Sequence, residues 1–307
     1  MRLELKIYTM ICGTLCCAAI LFWALATFVW CAEFDNYEQG VALENLAKLK
    51  TMISLQPEEI EKKLNDYSKW DDVYRFVQDR NHEFEKSNLL YDVLKSINID
   101  FMIFINNKHQ VVWAGALDHE ATSFMAVPAP LLDLLTTNKS IYDFPDPTKK
   151  KSGFLYLGFD TPFMITIHPV LPSSGKGEVK GLFVAGRILS QQFLQRMQMI
   201  SKLQLHALYS PSVGGEPPLP ADTYDQFKES IYLQGQDKLY YEGKVLFKDL
   251  FGRPVFVLET KLSKNLSDSI QRISKNFSLT LFLLTIFLCS FFVGILHFWV
   301  FRPLRKF

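Results

Sequence analysis

Apolar and polar positions divide this chain into three regimes. Ile7–Cys31 and Phe277–Phe301 contain no Asp, Glu, Lys or Arg. Each runs for about 25 residues, about 37 Å as a helix, against a hydrocarbon core of ~30 Å. The stretch between them, about 245 residues long, mixes both kinds of position and is large enough to bury a core of its own. The expected layout is a cytoplasmic tail over 1–6, a transmembrane helix over 7–31, an extracytoplasmic domain over 32–276, a second transmembrane helix over 277–301 and a short cytoplasmic end over 302–307.

Inside the outer domain, Phe34, Tyr37 and Val41, then Leu46, Leu49 and Ile53, make one helical stripe continuous with the first span. Such a helix either packs on its own domain or pairs with its copy. Gln56-Pro57-Glu58-Glu59 opens a second helix, with proline in the first turn and carboxylates at the positive end. Its periodicity predicts one helix to Asp79, with Leu64, Tyr67, Trp70, Val73, Tyr74 and Val77 facing the core. A short helix near Ser87–Ile97 follows.

The period then switches to two. Ile99–Ile105 and Val111–Ala114 read as a hairpin around Asn106–Gln110, and Pro128–Thr136 as a helix. Strands follow at Gly153–Leu157, Phe163–Val170 and Gly181–Ile188, with a turn over Pro172–Gly177. Ser190–Lys202 reads as a helix, Leu203–Tyr209 as a strand and Ser210–Asp222 as a loop. Leu239–Phe247 and Pro254–Thr260 complete the strands, and Ser263–Asn276 is a helix feeding the second span. Helices and parallel strands do not alternate, so the expected class is α+β with an antiparallel sheet.

Charge sets the orientation. Arg2 and Lys6 precede the first span, and Arg302, Arg305 and Lys306 follow the second, which favours both ends in the cytoplasm. The first apolar stretch is too long for a secretory signal core and ends in bulky Phe28-Val29-Trp30, so an anchor is expected. The expected place is therefore the inner (cytoplasmic) membrane, crossed twice, with the lipid bilayer as a partner. All five cysteines (Cys12, Cys16, Cys17, Cys31, Cys289) lie in or beside the spans, leaving none for disulfides in the outer domain. The net charge of +1 gives no reason to expect nucleic acid.

Candidate chemistry is sparse. The histidines (82, 109, 119, 168, 206, 297) show no metal-ligand spacing, so no metal and no cofactor are expected. Neither a nucleophile elbow nor a phosphate-cradling loop occurs, and no catalytic constellation is visible. Trp70 and Tyr74 share a helical face with Val77, which suits either core packing or the wall of a ligand pocket. Asp71 is spaced to pair with Arg75. Asp72, on the helix flank, either caps a loop or, like Asp71, meets a cationic ligand. Asp100 opens a strand, where a carboxylate must be hydrogen-bonded, and satisfying loop amides is its plain role. Trp113 and Arg187 fall near strand ends; Arg187 suits an internal salt bridge or a bidentate carboxylate ligand.

The run Tyr67-Ser68-Lys69-Trp70-Asp71-Asp72-Val73-Tyr74-Arg75-Phe76-Val77 resembles the opening motif of the fourth type of CHASE domain, an extracytoplasmic sensor module. Ser87-Asn88-Leu89, Ile99-Asp100, Val111-Val112, Gly153, His168-Pro169-Val170 and Gly181–Arg187 extend the resemblance over most of residues 57–260. It implies a PAS-like, Cache-like fold in which a long helix packs beside a curved antiparallel sheet between two spans. Phe301-Arg302-Pro303-Leu304 resembles the entry to a HAMP linker. The chain stops at Phe307, before any HAMP bundle or output module.

The resulting expectation is a sensory input module, not an enzyme. It would detect a small-molecule or protein signal and pass it through two transmembrane helices to a cyclic-di-GMP enzyme or histidine kinase outside this chain. A homodimer is expected, since such outputs work in pairs. The alternative is a membrane-anchored binding or adaptor protein with no output of its own.

Overall fold

The computed structural model describes residues 2–118, 120–146, 148–157, 161–209, 227, 229–235, 240–298 and 302. They fall into two compact units: Met1–Glu44 with Gly235–Tyr241 and Leu262–Phe307, and Asn45–Gln234 with Glu242–Lys261. Two long helices mark the chain's ends. Helix α1 (Arg2–Ser54) is unbroken, as its uninterrupted apolar and then striped pattern predicts. Helix α8 (Asn265–Leu296) joins the exit helix and the second apolar stretch into one element. Within it, Lys275–Ile295 is the one segment among the described residues long and apolar enough to cross a membrane by length and composition. Its large side chains, including Phe277, Leu283, Phe287 and Phe291, are exposed, unlike those of a core helix. Gly13–Leu25 is a shorter apolar stretch of α1.

The second unit opens with α2 (Gln56–Leu64), a 3-10 turn (Tyr67–Lys69), α3 (Asp71–Asp79), α4 (His82–Asn88) and α5 (Tyr91–Ile97). Strands β1 (Phe101–Asn106), β2 (Val111–Leu117) and β3 (Phe124–Met125) follow, then α6 (Ala129–Thr137), β4 (Lys151–Leu155), β5 (Phe163–Pro169) and β6 (Gly181–Ile188). After α7 (Gln191–Ser201) come β7 (Leu205–Tyr209), β8 (Ile231–Gln234), β9 (Tyr240–Lys248) and β10 (Pro254–Ser263). Among the described residues the strands form two sheets, ordered β3-β2-β1-β6-β5-β4 and β7-β10-β9-β8. The described strand registers are antiparallel, and one parallel bridge joins Phe154 to Asp249. The α+β class and its antiparallel pairing stand, but one sheet was expected and there are two.

Local signals fix several boundaries. Pro57 sits in the first turn of α2 with Glu58 and Glu59. Asn81 caps α4 by accepting from Glu83 N, and Ser190 caps α7 by accepting from Phe193 N. Asn98 and Lys202, both left-handed, end α5 and α7.

Three other boundaries differ from the expectation. The helix predicted over 57–79 breaks at Asn65–Trp70, because Trp70 takes an extended conformation (φ −90°, ψ 129°) that periodicity alone does not reveal. The short helix near Ser87–Ile97 is two helices, parted at Leu89 and Leu90, both of which leave helical geometry. Strands β3 and β8 were not anticipated; at two and four residues they carry little pattern. The loop expected over 210–222 lies outside the described residues, as do His119 and three of the four residues resembling a HAMP entry (Phe301, Pro303 and Leu304).

Alternation in the six-stranded sheet divides its side chains between two cores. Phe101, Ile103, Ile105, Ile165, Ile167, Leu182 and Val184 pack with Leu131 and Leu135 of α6. Met102, Phe104, Met164, Thr166, His168, Phe183 and Ala185 point to the opposite side, where α2 and α3 lie against the sheet. Leu46, Leu49 and Ile53 of α1 are buried, so the second half of its stripe packs on its own domain. Tyr37, in the first half, is exposed.

Candidate functional site

The seven candidate residues do not meet in one place. Asp71 and Tyr74 reach the β5–β6 connection, and Trp70 lies beside them at the start of α3. Trp70 is not core: it is 39% exposed, with its ring edge-on to Tyr67 (6.2 Å) and Phe84 (5.9 Å). Its extended backbone starts α3 and leaves the Asp71 carboxylate free of that helix's ladder. Asp71 Oδ1 accepts from Ser173 N at 2.9 Å, and this amide holds its carboxyl below the usual carboxylate range. Tyr74 donates to Glu178 O at 3.2 Å, and Leu171 N donates to Ser68 O at 3.1 Å. Three bonds, at Leu171, Ser173 and Glu178, thus fasten the 171–180 connection to the turn and to α3. The motif is first of all a clamp.

Asp72 points away from this clamp. It, not Asp71, pairs with Arg75, in the open, correcting the expected Asp71–Arg75 pair. Spacing suits both, i, i+4 for Asp71 and i, i+3 for Asp72, but the Asp71 carboxylate is committed to Ser173 in the first turn.

Trp113 belongs to an aromatic array on the helix side of the sheet. It lies 6.4 Å from Phe104, which stacks on Phe183 at 4.9 Å and meets Phe76 edge-on at 5.5 Å. Tyr67 reaches the same Phe183 at 6.2 Å, so Trp70 and Trp113 sit at two ends of one aromatic layer. Beyond Trp113 lies Phe124, edge-on at 5.3 Å. Gly115 is required beneath that indole, since a Cβ there would stand 2.5 Å from Trp113 Cη2.

Asp100 and Arg187 form the second constellation. Asp100 extends the β1 ladder by one residue: its N–H donates to Gly186 O (2.8 Å) and its carbonyl accepts from Leu117 N (2.7 Å). Where the β1 backbone ends, its side chain takes over, and Oδ2 accepts from Ile188 N at 2.7 Å. The expected amide-satisfying role of Asp100 is therefore present. Burial raises its carboxyl pKa, opposed by the Ile188 amide and by the charge of Arg187.

Arg187, paired across the strands with Met164, alternates with Ala185 and Phe183 onto the helix side. Burial lowers its pKa; the Asp100 charge opposes this, Arg196 of α7 adds to it, and Glu59 of α2 opposes it. Arg187 forms no ion pair within 4.0 Å among the described residues, contrary to the internal salt bridge set out as one of its two roles. Its Nε is buried with no hydrogen-bond partner there. A guanidinium keeps its proton in proteins, so this is a half-buried positive charge with an unused donor.

Sequence reasoning missed Arg196 and placed Glu59 only at the positive end of its helix. It also missed the buried pair His168–Thr166, whose Nε2 and Oγ1 lie 2.8 Å apart. Burial first, then Lys150 and Lys69, pushes the His168 pKa down to about 3, and its Nδ1 has no partner among the described residues. Beside it a polar seam ties α2 to β4: Ser152 donates to Glu61 Oε2 (2.8 Å) and Lys150 to Asn65 Oδ1 (2.5 Å).

Comparison with known proteins places this fold. Methanogenesis regulatory histidine kinase FilI of Methanothrix harundinacea (strain 6Ac) is 21% identical over 203 residues, covering 66% of this chain and 22% of that protein. The chain thus matches about a fifth of that relative's length. The extracellular domain of vpHK1S-Z8, described as a histidine kinase, superposes with a TM-score of 0.52 at 12% identity, over 76% of this chain and 94% of that domain. A domain of a sensory box/GGDEF family protein from Vibrio parahaemolyticus superposes with a TM-score of 0.51 at 10% identity, over 75% and 97%. At such identities the two structures speak for the fold alone. The CHASE4 domain itself matches residues 52–208, which begin at the end of α1 and run through the Trp70 clamp and the Asp100–Arg187 constellation to β7. That match takes in more than half of the chain, and the chain belongs to the CHASE4 domain family.

Proposed function

We propose that this chain is the input half of a membrane receptor: residues 32–276 sense a signal outside the cytoplasm, and spans over 7–31 and 277–301 carry it inward. One observation carries the reading. Strand β10 of the sensor fold runs to Ser263, and α8, which holds the apolar Lys275–Ile295 segment, starts at Asn265. A single residue separates a core strand from a membrane-crossing helix, so displacement of the strand has no slack linker in which to dissipate. At the other end, the unbroken α1 runs from the uncharged Ile7–Cys31 stretch to the buried Leu46, Leu49 and Ile53.

A ligand shifts such a device only by its differential affinity for two arrangements of the helices. The output is proposed to be a cytoplasmic histidine kinase, which the FilI relative supports, or a cyclic-di-GMP enzyme, which the CHASE resemblance implies. The working form is proposed to be a homodimer in the cytoplasmic membrane, with residues 302–307 entering a HAMP-like linker.

A periplasm-active phosphatase fused after Phe307 should stay silent, and one fused after Lys261 should be active. Intact-mass measurement should find residues 1–31 retained. Phosphatase activity after Phe307, or a mature chain lacking the first stretch, would leave the sensor with one rod and remove this mechanism.

A further inference from the structure

We infer that Arg187 is the anchor of a binding site for a small monocarboxylate. The inference deepens the sensory reading by naming a ligand class, and it rests on that reading only for its physiological role.

A charged group taken from water is stable only if its donors are met, and Arg187 Nε is buried and unmet. The carboxylate that acts most strongly on it, Asp100, is already committed through Oδ2 to Ile188 N and makes no ion pair with the guanidinium. Asp100 therefore balances charge without supplying a hydrogen-bond acceptor. A second guanidinium, Arg196, acts on Arg187 from an exposed position on α7 and makes the local deficit of acceptors larger. An anion would meet both needs at once.

The donor geometry narrows the class. The Nε and one Nη of a guanidinium form a planar fork that matches the two oxygens of a carboxylate. Two carboxylates, Asp100 and Glu59, already face this guanidinium electrostatically, so a dianion such as phosphate pays more repulsion than a monoanion. Half-exposure of Arg187 leaves it within reach of solvent, and its strand fixes its position. Among the described residues, no other site combines a buried unmet cationic donor with a rigid strand and a second exposed cation. His168 Nδ1 is also unmet, but its ring is neutral and fully enclosed.

The test uses the full chain in detergent or nanodiscs, with calorimetric titration of acetate, lactate and pyruvate and with inorganic phosphate as the contrasting anion. A saturable heat is expected for at least one monocarboxylate, with phosphate weaker. Arg187→Lys keeps the charge and removes the fork, so affinity should fall roughly 10-fold or more. Arg196→Gln, at an exposed position, should weaken binding less and leave the fold intact. Should Arg187→Lys fail to fold, the Arg187 Nε–H resonance of the wild type, assigned by its loss in that variant's soluble fraction or by selective labelling, should shift on titration.

No saturable binding by any of the three carboxylates, equal affinity in Arg187→Lys, an unmoved Nε resonance, or preference for phosphate would each overturn the proposal. The phosphatase fusions do not depend on this outcome. A failure here with the fusions behaving as expected leaves the receptor standing with another ligand, and the converse leaves a carboxylate-binding protein without transmembrane signalling.

Discussion

The Tyr241 hydroxyl donates to Asp35 Oδ1 at 3.0 Å, tying a buried residue of β9 to helix α1. Lys264, the residue immediately before α8, places its ammonium 4.2 Å from the centre of the same ring. One side chain thus meets α1 and the residue that leads into α8, within a single compact unit. Burial first, then the Asp35 hydrogen bond and charge, raises the Tyr241 pKa, which keeps the phenol a donor.

Removing that donor should loosen the junction without emptying it. Tyr241→Phe keeps the ring under Lys264 and should destabilise by about 1 kcal/mol, the net value of a typical hydrogen bond. Because the folded pKa is raised, the phenol's contribution is complete below pH ~10 and is lost as pH rises through the folded value. Alkaline unfolding followed by circular dichroism should therefore start later in Tyr241→Phe than in the wild type. An unchanged alkaline limb would show that the bond contributes nothing.

His168 sets the acid limb. Its pKa of about 3 lies below the unfolded value of 6.5, so the unfolded chain binds the extra proton between them. Stability should fall as pH drops through that window, by at most about 1.4 kcal/mol per unit from this group. In a urea series from pH 6.5 to 4, His168→Gln should flatten the midpoint's pH dependence even if it lowers the midpoint itself. Parallel curves would assign the acid sensitivity to other groups.

The clamp at Trp70–Asp71–Tyr74 should be separable from its neighbour Asp72. Asp71→Ala frees the Ser173 amide, and hydrogen exchange over residues 172–180 should accelerate in that variant. Asp72→Asn removes only the solvent-exposed partner of Arg75 and should shift stability by less than ~0.5 kcal/mol. If Asp72→Asn accelerated the same amides, the two carboxylates would not have distinct roles.

Gly186, like Gly181 on the same strand, leaves no room for a Cβ against neighbouring backbone. A Cβ on Gly186 would stand 2.2 Å from Met164 O and 2.4 Å from Phe101 Cζ, the ring that covers it from the paired position on β1. Gly186→Ala should destabilise by roughly 1–3 kcal/mol or more, because backbone rather than a mobile side chain must yield. A melting temperature within a degree of wild type would contradict the close approach.

Much of the fold was legible because its signals are local. β6 over Gly181–Ile188 and the β1–β2 hairpin follow from period-two runs punctuated by turn residues, and α7 from a serine cap and an amphipathic run. The break at Trp70 was not legible. Helical spacing continues through Tyr67, Trp70 and Tyr74, and the contacts that accompany the break, Trp70 on Phe84 and Asp71 and Tyr74 on the hairpin, are tertiary. Its exposure, opposite to the expected core position, follows from the same event.

The seven candidate residues show the division most clearly. Residue type alone announced that Asp100 needed an amide partner, since a strand carboxylate without one is too costly. Which amide, and that Arg187 beside it would keep an unmet Nε, depended on where β6 ends relative to β1. The sequence by itself determined the charge-free stretches, the α+β class and the strand-forming runs, because length, charge and periodicity are properties of consecutive residues. Tertiary structure alone decided the two-sheet arrangement, the hairpin clamp and the Asp100–Arg187 constellation. Those rest on contacts between residues as many as about 100 positions apart, which no local pattern encodes.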